Sequence, residues 1–475
     1  MKWSMGMAGG AIAIFVAHPV MALMTSVGEA GIDALRLHAE PYGLTGRKIA
    51  IGQVEIGRPS VFGLDKAAPE NFAVRVNQVF FQDSLPEANE LVDGHAANVA
   101  SVMVSRDKGL TGVAPDARLY SSAIGVLGRS GQPEECLASQ TVASQNGDDV
   151  RAINFSFGES LVRDPRPNPQ LDGNALLTQC IDWSSNEHNV LYVIAGNQGR
   201  GGIPIPTDHY NGMTVSNSRE IDGQFNKVDF SSLSSEPNNL VGRSPDTESN
   251  VGDRRSISLV APGTDIRMIN PDGRTTQSTG TSFAAPHVTA MVALLQEYGD
   301  RQLRNRAANW SLDSRNSQLM RAVMMNSADK LQDRGDGLNL GMARTLVDHR
   351  NRSWIDLDAY SDRTRPLSAA LGTGHLNAYR AYEQFSAGQW SPDGVVPVMG
   401  WDYRTVSASD AASQYHDYVI GSPLQAGSYF SATLTWSRKV LLNDSNNNDI
   451  YDLGETFTDE GLNNLSLYLM PADSD

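Results

Sequence analysis

Short apolar runs alternate with helix-like stretches from Ile49 to Gly196, and this alternation limits the fold of the 475-residue chain more than any other feature. "KIAIGQV", "ARLYSSAIGV", "VRAINFSFG" and "NVLYVIAG" read as strands. Between them "ANVASVMVS", "EECLASQTVASQ" and "ALLTQCIDWSS" read as helices. "VLYVIAG" is apolar almost without interruption, as a strand covered on both faces must be. The expected fold class is therefore α/β, a mostly parallel central sheet flanked by helices on both faces. Open sheets of this kind bind ligands beyond the carboxyl ends of their strands. Glu55, Ser156 to Gly158, and Gly196–Asn197 fall at such ends.

The rest of the chain divides around this unit. Residues 1–22 carry Lys2, an apolar run from Met5 to Val16 and the small-residue end "VMA", which together read as a signal peptide. The run is shorter than the ~20 residues a membrane span needs, and no later segment is long and apolar enough. The destination is then periplasmic, cell-surface or extracellular. Residues 23–389 form the main domain, with a polar surface insertion at about 331–368. Residues 390–475 read as a small antiparallel β-domain. There Phe430, Ala432, Leu434 and Trp436 alternate on one face, as do Leu465, Leu467 and Leu469. Cys136 and Cys180 read equally well as a disulfide or as two buried thiols. The formal net charge is −16 and no Lys/Arg cluster stands out, which argues against nucleic acid as a partner.

The strongest local signal is "STGTSFAAPHVTAMVALLQEYG", residues 278–299. Val288, Met291, Val292 and Leu295 recur with helical spacing, so a Gly-Thr-Ser turn opens a buried helix. Pro286 is expected in the first turn, where amides lack helical partners. Ser282 then lies at a positive helix end, where it could simply cap the helix.

"GTSFAAPHV" resembles the nucleophile motif of subtilisin-like serine proteases, the subtilases, and the companion motifs follow in order. "GHAANVASVM" resembles the histidine motif, "INFSFG" the strand lining the substrate cleft, and "VIAGNQG" the segment with the oxyanion asparagine. "GVAPDARLYSSAIGV", "LVAPGTDI", "RAVMMNSADK" and "GTGHLNAYRAY" match further elements, so the resemblance covers roughly residues 28–385. It implies a subtilisin-like fold and peptide hydrolysis through an acyl-enzyme on Ser282. His95 would be the general base and acid, and Asn197 would sit in the oxyanion hole. Ser156, Phe157 and Gly158 would pair with extended substrate, and Gly158 and Gly196 would leave room for its side chains. His287 is expected to be structural.

Two departures matter. The family's first strand ends in aspartate, and this one ends in Glu55. A glutamate is longer by about 1.5 Å and has a similar unperturbed pKa, so it can orient His95 from a backbone set further back. Asp93 lies only two residues before His95, too close to reach the far ring nitrogen. The residues after His95 are Ala96, Ala97 and Asn98 rather than the family's usual Gly and second His.

No cofactor is required for this chemistry, and one loop reads equally well as a structural calcium site or as a solvated acidic hairpin tip. "DSNNNDIYDLGE", residues 444–455, places Asp444, Asn446, Asn448, Asp452 and Glu455, with the Ile450 carbonyl, at the ligand positions of a twelve-residue calcium loop, although Asp449 replaces its glycine. The sequence thus reads as an exported serine endopeptidase acting on proteins or peptides. The alternatives are a catalytically impaired relative that binds peptides or proteins through the same cleft, and a hydrolase of non-peptide acyl groups.

Overall fold

A computed structural model describes residues 22–471, apart from 127–129, 160, 197–203, 229–249, 252–253, 363 and 411–412. The expected signal segment therefore lies almost wholly outside the described residues. Among the described residues, no helix is long and apolar enough to cross a membrane.

The strands read from the sequence form the centre of a nine-stranded sheet. In chain order its first seven strands are β1 (Ala50–Glu55), β2 (Gln78–Phe81), β3 (Arg118–Ala123), β4 (Val150–Phe155), β5 (Leu191–Ala195), β6 (Met213–Ile221) and β7 (Gln224–Lys227). They lie in the order β7-β6-β5-β4-β1-β3-β2. All neighbours are parallel except β6 and β7. Leu259–Pro262 adds a parallel strand to β6, and Leu346–Val347 adds one to β7.

Side chains alternate between two buried faces. Ile51, Ala152 and Val193 join the core beneath the helices Gly94–Val104 and Thr281–Arg304. Ala50, Val54, Ile153 and Ile194 join a second core beneath Gln132–Ala143 and Leu176–Glu187. Burial on both faces explains why these strands are apolar at successive positions.

The chain places β2 and β3 on one side of β1 and then crosses to β4 on the other. A crevice opens at such a reversal, outside the carboxyl ends of the strands. Glu55 ends β1, and Ser156 follows β4.

Three expectations are modified. The segment 331–368 is not purely superficial, because Leu346 and Leu357 pack with Phe225, Val260 and Leu371 in a satellite core. The C-terminal hairpin, Lys439–Asn443 with Thr456–Gly461, is antiparallel as expected. Its core is shared with the main domain: Val440, Tyr451 and Phe457 pack against Cys136, Cys180 and Trp183. Cys136 and Cys180 form a disulfide joining the two helices of that face. The run Phe430–Trp436 forms no ladder. Its polar alternates face inward instead: Ser431 and Thr433 donate to Asn326, and Thr435 donates to the Gln318 carbonyl. Phe430 and Leu434 consequently point outward. A period-two pattern marks two faces without saying which is buried, and hydrogen-bonding hydroxyls claimed the inner one.

Candidate active site

Glu55 is 1% exposed at the end of β1, and its Oε2 lies 3.2 Å from His95 Nδ1. His95 is the second residue of the helix Gly94–Val104. Asp93 is that helix's N-cap, and its Oδ2 accepts the Ala96 N–H at 2.9 Å. The rival acid is therefore occupied in capping, and Glu55 is the carboxylate facing the ring. Gln53, also on β1, donates to the Ala96 carbonyl and ties the start of the helix to the strand. Arg58, fully buried, forms a two-pronged pair with Asp65, while its backbone bonds Leu91 and Asp93. The loop after the acid and the loop before the base are thus fastened together.

The electrostatics follow from burial and pairing. Burial raises the Glu55 carboxyl above its ordinary range, and His95 works in the opposite sense. Desolvation by itself would lower the His95 imidazole, but the Glu55 charge and hydrogen bond, with Asp93, outweigh it and raise the ring above its ordinary value. The imidazole stays 40% exposed, open to the crevice. The Phe283 ring packs beside it, with centroids 5.6 Å apart.

Ser282 is the second residue of its helix. Gly280 is the N-cap, so Ser282 does not serve as the cap. Its Oγ donates to the Ser156 carbonyl at 3.0 Å, and Ser156 Oγ donates to the Ser282 carbonyl at 2.7 Å. Pro286 accounts for the second bond. It lies in the second helical turn rather than the first, four residues after Ser282, and cannot supply the amide that would bond that carbonyl. The Ser156 hydroxyl supplies the donor instead. Asn154 bonds the same hydroxyl at 2.8 Å and accepts from Thr289, so β4 is locked to the serine helix. Asn154 and Pro286 are the supporting residues that sequence reading missed or misplaced. The proline's i+4 spacing from the serine was the available signal.

Thr281 Oγ1 donates to the Gly196 carbonyl, bringing the end of β5 to the same turn. Asn197 lies outside the described residues. The two glycines expected to leave room for substrate are small for another reason. A Cβ at Gly158 would meet Pro204 at 2.6 Å, and one at Gly196 would meet Thr214 at 2.6 Å. Protein atoms fill those spaces. Phe157 stacks on Phe155, with centroids 5.1 Å apart. His287 is fully buried between the Phe283 carbonyl and Ser26, and burial pushes it down to about 4, which suits a structural role.

The loop 444–455 is far less convergent. Asp444 accepts the backbone N–H groups of Asn446, Asn447 and Asp449. Asp452 accepts the amides of Asn446 and Asn448, and Glu455 accepts from Ser445 and Asp452. The Ile450 N–H bonds Asn448 Oδ1. In this arrangement the Asp444 and Glu455 carboxylates and Asp452 Oδ2 accept N–H and O–H groups from within the loop. Among the described residues, no group of three or more His, Cys, Asp or Glu side chains is placed to hold a metal.

Residues 37–342 match the Subtilase family model. Curated relatives include the M-protease of Shouchella clausii, 25% identical over 241 residues that span 50% of this chain and 54% of that protein. Subtilisin Savinase of Lederbergia lenta is 25% identical over 50% of this chain and 76% of its own length. Thermitase of Thermoactinomyces vulgaris is 24% identical over 53% and 72%. The chain thus spans about half the length of the first of these relatives. Among solved structures, fervidolysin from Fervidobacterium pennivorans aligns with a TM-score of 0.48 at 18% identity, covering 76% of this chain and 47% of that one. The prenylagaramide maturation protease PagA aligns with a TM-score of 0.47 at 20% identity, covering 75% and 99%. The family match spans well over half of the chain and contains Glu55, His95 and Ser282, and the chain belongs to the subtilase family of serine proteases.

Proposed function

We propose that this protein is an exported serine endopeptidase that cleaves peptide bonds through an acyl-enzyme on Ser282. The observation that carries the reading is the 3.2 Å contact between Glu55 Oε2 and His95 Nδ1, made while Asp93 caps the helix. With Nδ1 engaged by the acid, Nε2 is the nitrogen left to serve Ser282. For the reaction the Ser282 hydroxyl would exchange the Ser156 carbonyl, its acceptor in this structure, for the imidazole. Oγ then attacks the peptide carbonyl as His95 takes its proton, and His95 returns that proton to the departing amine. Water repeats the sequence on the ester and frees the acid product and Ser282.

The tetrahedral oxygen would take hydrogen bonds from the Ser282 backbone N–H and from Asn197. The Asn197 assignment is supported by its place immediately after Gly196, whose carbonyl bonds the nucleophile turn. One such donor contributes about 3–4 kcal/mol to transition-state stabilisation, a figure that comes from subtilisin, a relative of this chain. Ser156 to Gly158 would bind extended substrate by strand addition. Export rests on the charge, apolar run and small-residue end of the first 22 residues.

A fluorophosphonate probe tests the reading. It should label the purified protein and fail to label Ser282→Ala, and casein cleavage should vanish in the same variant. An unlabelled wild-type protein would leave only a non-catalytic binding role for the cleft.

A further inference from the structure

Beside the Ser156–Gly158 segment lie two carboxyl groups that this chemistry does not use. Glu135, in the first turns of the helix Gln132–Ala143, is fully buried, and Glu159 is 2% exposed. Glu159 acts on the Glu135 carboxyl both through its charge and through a side-chain hydrogen bond. None of their four carboxylate oxygens has a hydrogen-bond donor among the described residues. The cation at hand is Arg163, from the short turn Leu161–Arg163, 3.6 Å from Glu159 and itself 38% exposed. Glu134, on the same helix as Glu135, adds negative charge and accepts the Gly131 N–H. Two buried acceptors face to face cannot both carry charge without strong repulsion, and a single proton between them turns repulsion into a hydrogen bond.

The neighbours decide what that bond would hold. Glu135 precedes Cys136, whose disulfide to Cys180 fixes the helix. Glu159 follows Gly158 directly. Its backbone bonds Ile205 in both directions, and Pro204 packs against Gly158. The end of the substrate segment is therefore held by Pro204–Ile205 through the Glu159 backbone, and its tie to the helix Gln132–Ala143 runs through the Glu159 side chain.

We propose that Glu135 and Glu159 share one proton, and that this O–H···O bond positions the Ser156–Gly158 segment for substrate. Both are positioning residues. When the proton leaves for water, the segment loses its tie to the helix. The substrate part of this inference rests on the peptidase reading above. Burial first, and then the Glu159 charge, hold the Glu135 carboxyl well above its ordinary range, with Arg163 opposing. An acid raised in this way stabilises the fold fully below its unfolded value of 4.5, and that contribution is lost as pH rises through the folded value.

The first arm of the test compares thermal midpoints of wild type and Glu135→Gln from about pH 5 to about pH 9. The amide donates to Glu159 at every pH, so the midpoint of the variant relative to wild type should climb steadily with pH. A pH-independent difference overturns proton sharing. The second arm measures peptide cleavage near pH 6. Glu135→Leu should raise KM by about fivefold or more with kcat within about twofold, and Glu135→Gln should bring KM back. Equal effects on KM and kcat, or no rescue by Gln, overturn the positioning role. If wild type cleaves nothing, the peptidase reading fails, the first arm still decides proton sharing, and peptide Kd replaces KM in the second.

Discussion

Pro286 stands one helical turn beyond Ser282 and leaves the serine carbonyl without an amide donor, and the Ser156 hydroxyl fills the gap at 2.7 Å. The position of the candidate nucleophile is thus coupled to β4, the strand beside the acid strand. Ser156→Ala should strand a buried acceptor and cost about 1–3 kcal/mol of stability by denaturant unfolding. Pro286→Ala restores a backbone N–H that can bond the same carbonyl. In a double-mutant cycle the Ser156→Ala cost should shrink in the Pro286→Ala background. Strict additivity would show that the two residues do not share the carbonyl.

The Glu55–His95 contact separates the two acids near the base. Glu55→Ala should lower kcat by two or more orders of magnitude, because it removes the group that fixes the imidazole tautomer. Asp93→Ala removes an N-cap and should cost about 1 kcal/mol of stability. Its effect on kcat should be much the smaller. Steady-state kinetics and thermal melts on both variants check the ranking, and the reverse order would transfer the triad role to Asp93.

The same contact sets the pH dependence. Glu55 raises His95, and a general base works only when neutral, so the acid limb of the kcat/KM profile should lie above the ordinary histidine value of 6.5. Replacing Glu55 by Gln removes the carboxylate charge, so the limb should move to lower pH while the plateau falls. For stability the sign is opposite to that for activity. A raised His95 stabilises the fold fully below its unfolded value, and this contribution disappears as pH rises through the folded value. An acid limb unmoved in Glu55→Gln would sever the two groups functionally.

Much of this site was legible in the sequence because it depends on local patterns. Buried parallel strands must be apolar, so β1, β4 and β5 and their carboxyl ends could be read directly. Glu55 could be placed near a strand's carboxyl end, while its role, like those of His95 and Ser282, came from the resemblance of the surrounding motifs to those of the subtilases. What escaped depends on contacts between distant segments. The Ser156–Ser282 exchange joins residues 126 apart in sequence, and no local rule reports it. Gly158 and Gly196 looked like space for substrate, but Pro204 and Thr214 fill that space. The segment Phe430–Trp436 showed the right period and the wrong buried face, since Asn326 and the Gln318 carbonyl recruit its hydroxyls. The internal bonds of the loop 444–455, such as Asp444 accepting the Asn447 and Asp449 N–H groups, were not legible from the spacing of its oxygen ligands.

The C-terminal hairpin offers the last test. Arg438, at its entrance, is 1% exposed and bonds Asp182 through Nε at 3.0 Å and Nη2 at 2.6 Å. Nη2 also reaches the Gly173 carbonyl, and the Arg438 carbonyl accepts from Asn186 and Asn211. Asp182 accepts the Tyr210 and Asn211 N–H groups as well, so every strong donor and acceptor of the pair is used. A buried pair satisfied in this way contributes little over an apolar substitute, but removing one partner leaves the other's charge buried without its paired counter-ion. Arg438→Ala should therefore destabilise the protein by about 3–5 kcal/mol. Burial already pushes the Asp182 carboxyl upward against the pull of Arg438, so in the variant it should take up a proton more readily. The loss should thus be smaller at mildly acidic pH than at neutral pH. Asp182→Asn in the Arg438→Ala background removes the stranded charge and should recover part of the stability. Denaturant unfolding of the three variants reads the outcome. A loss below about 1 kcal/mol in Arg438→Ala, the range of an exposed pair, would show that the hairpin is not anchored through this arginine.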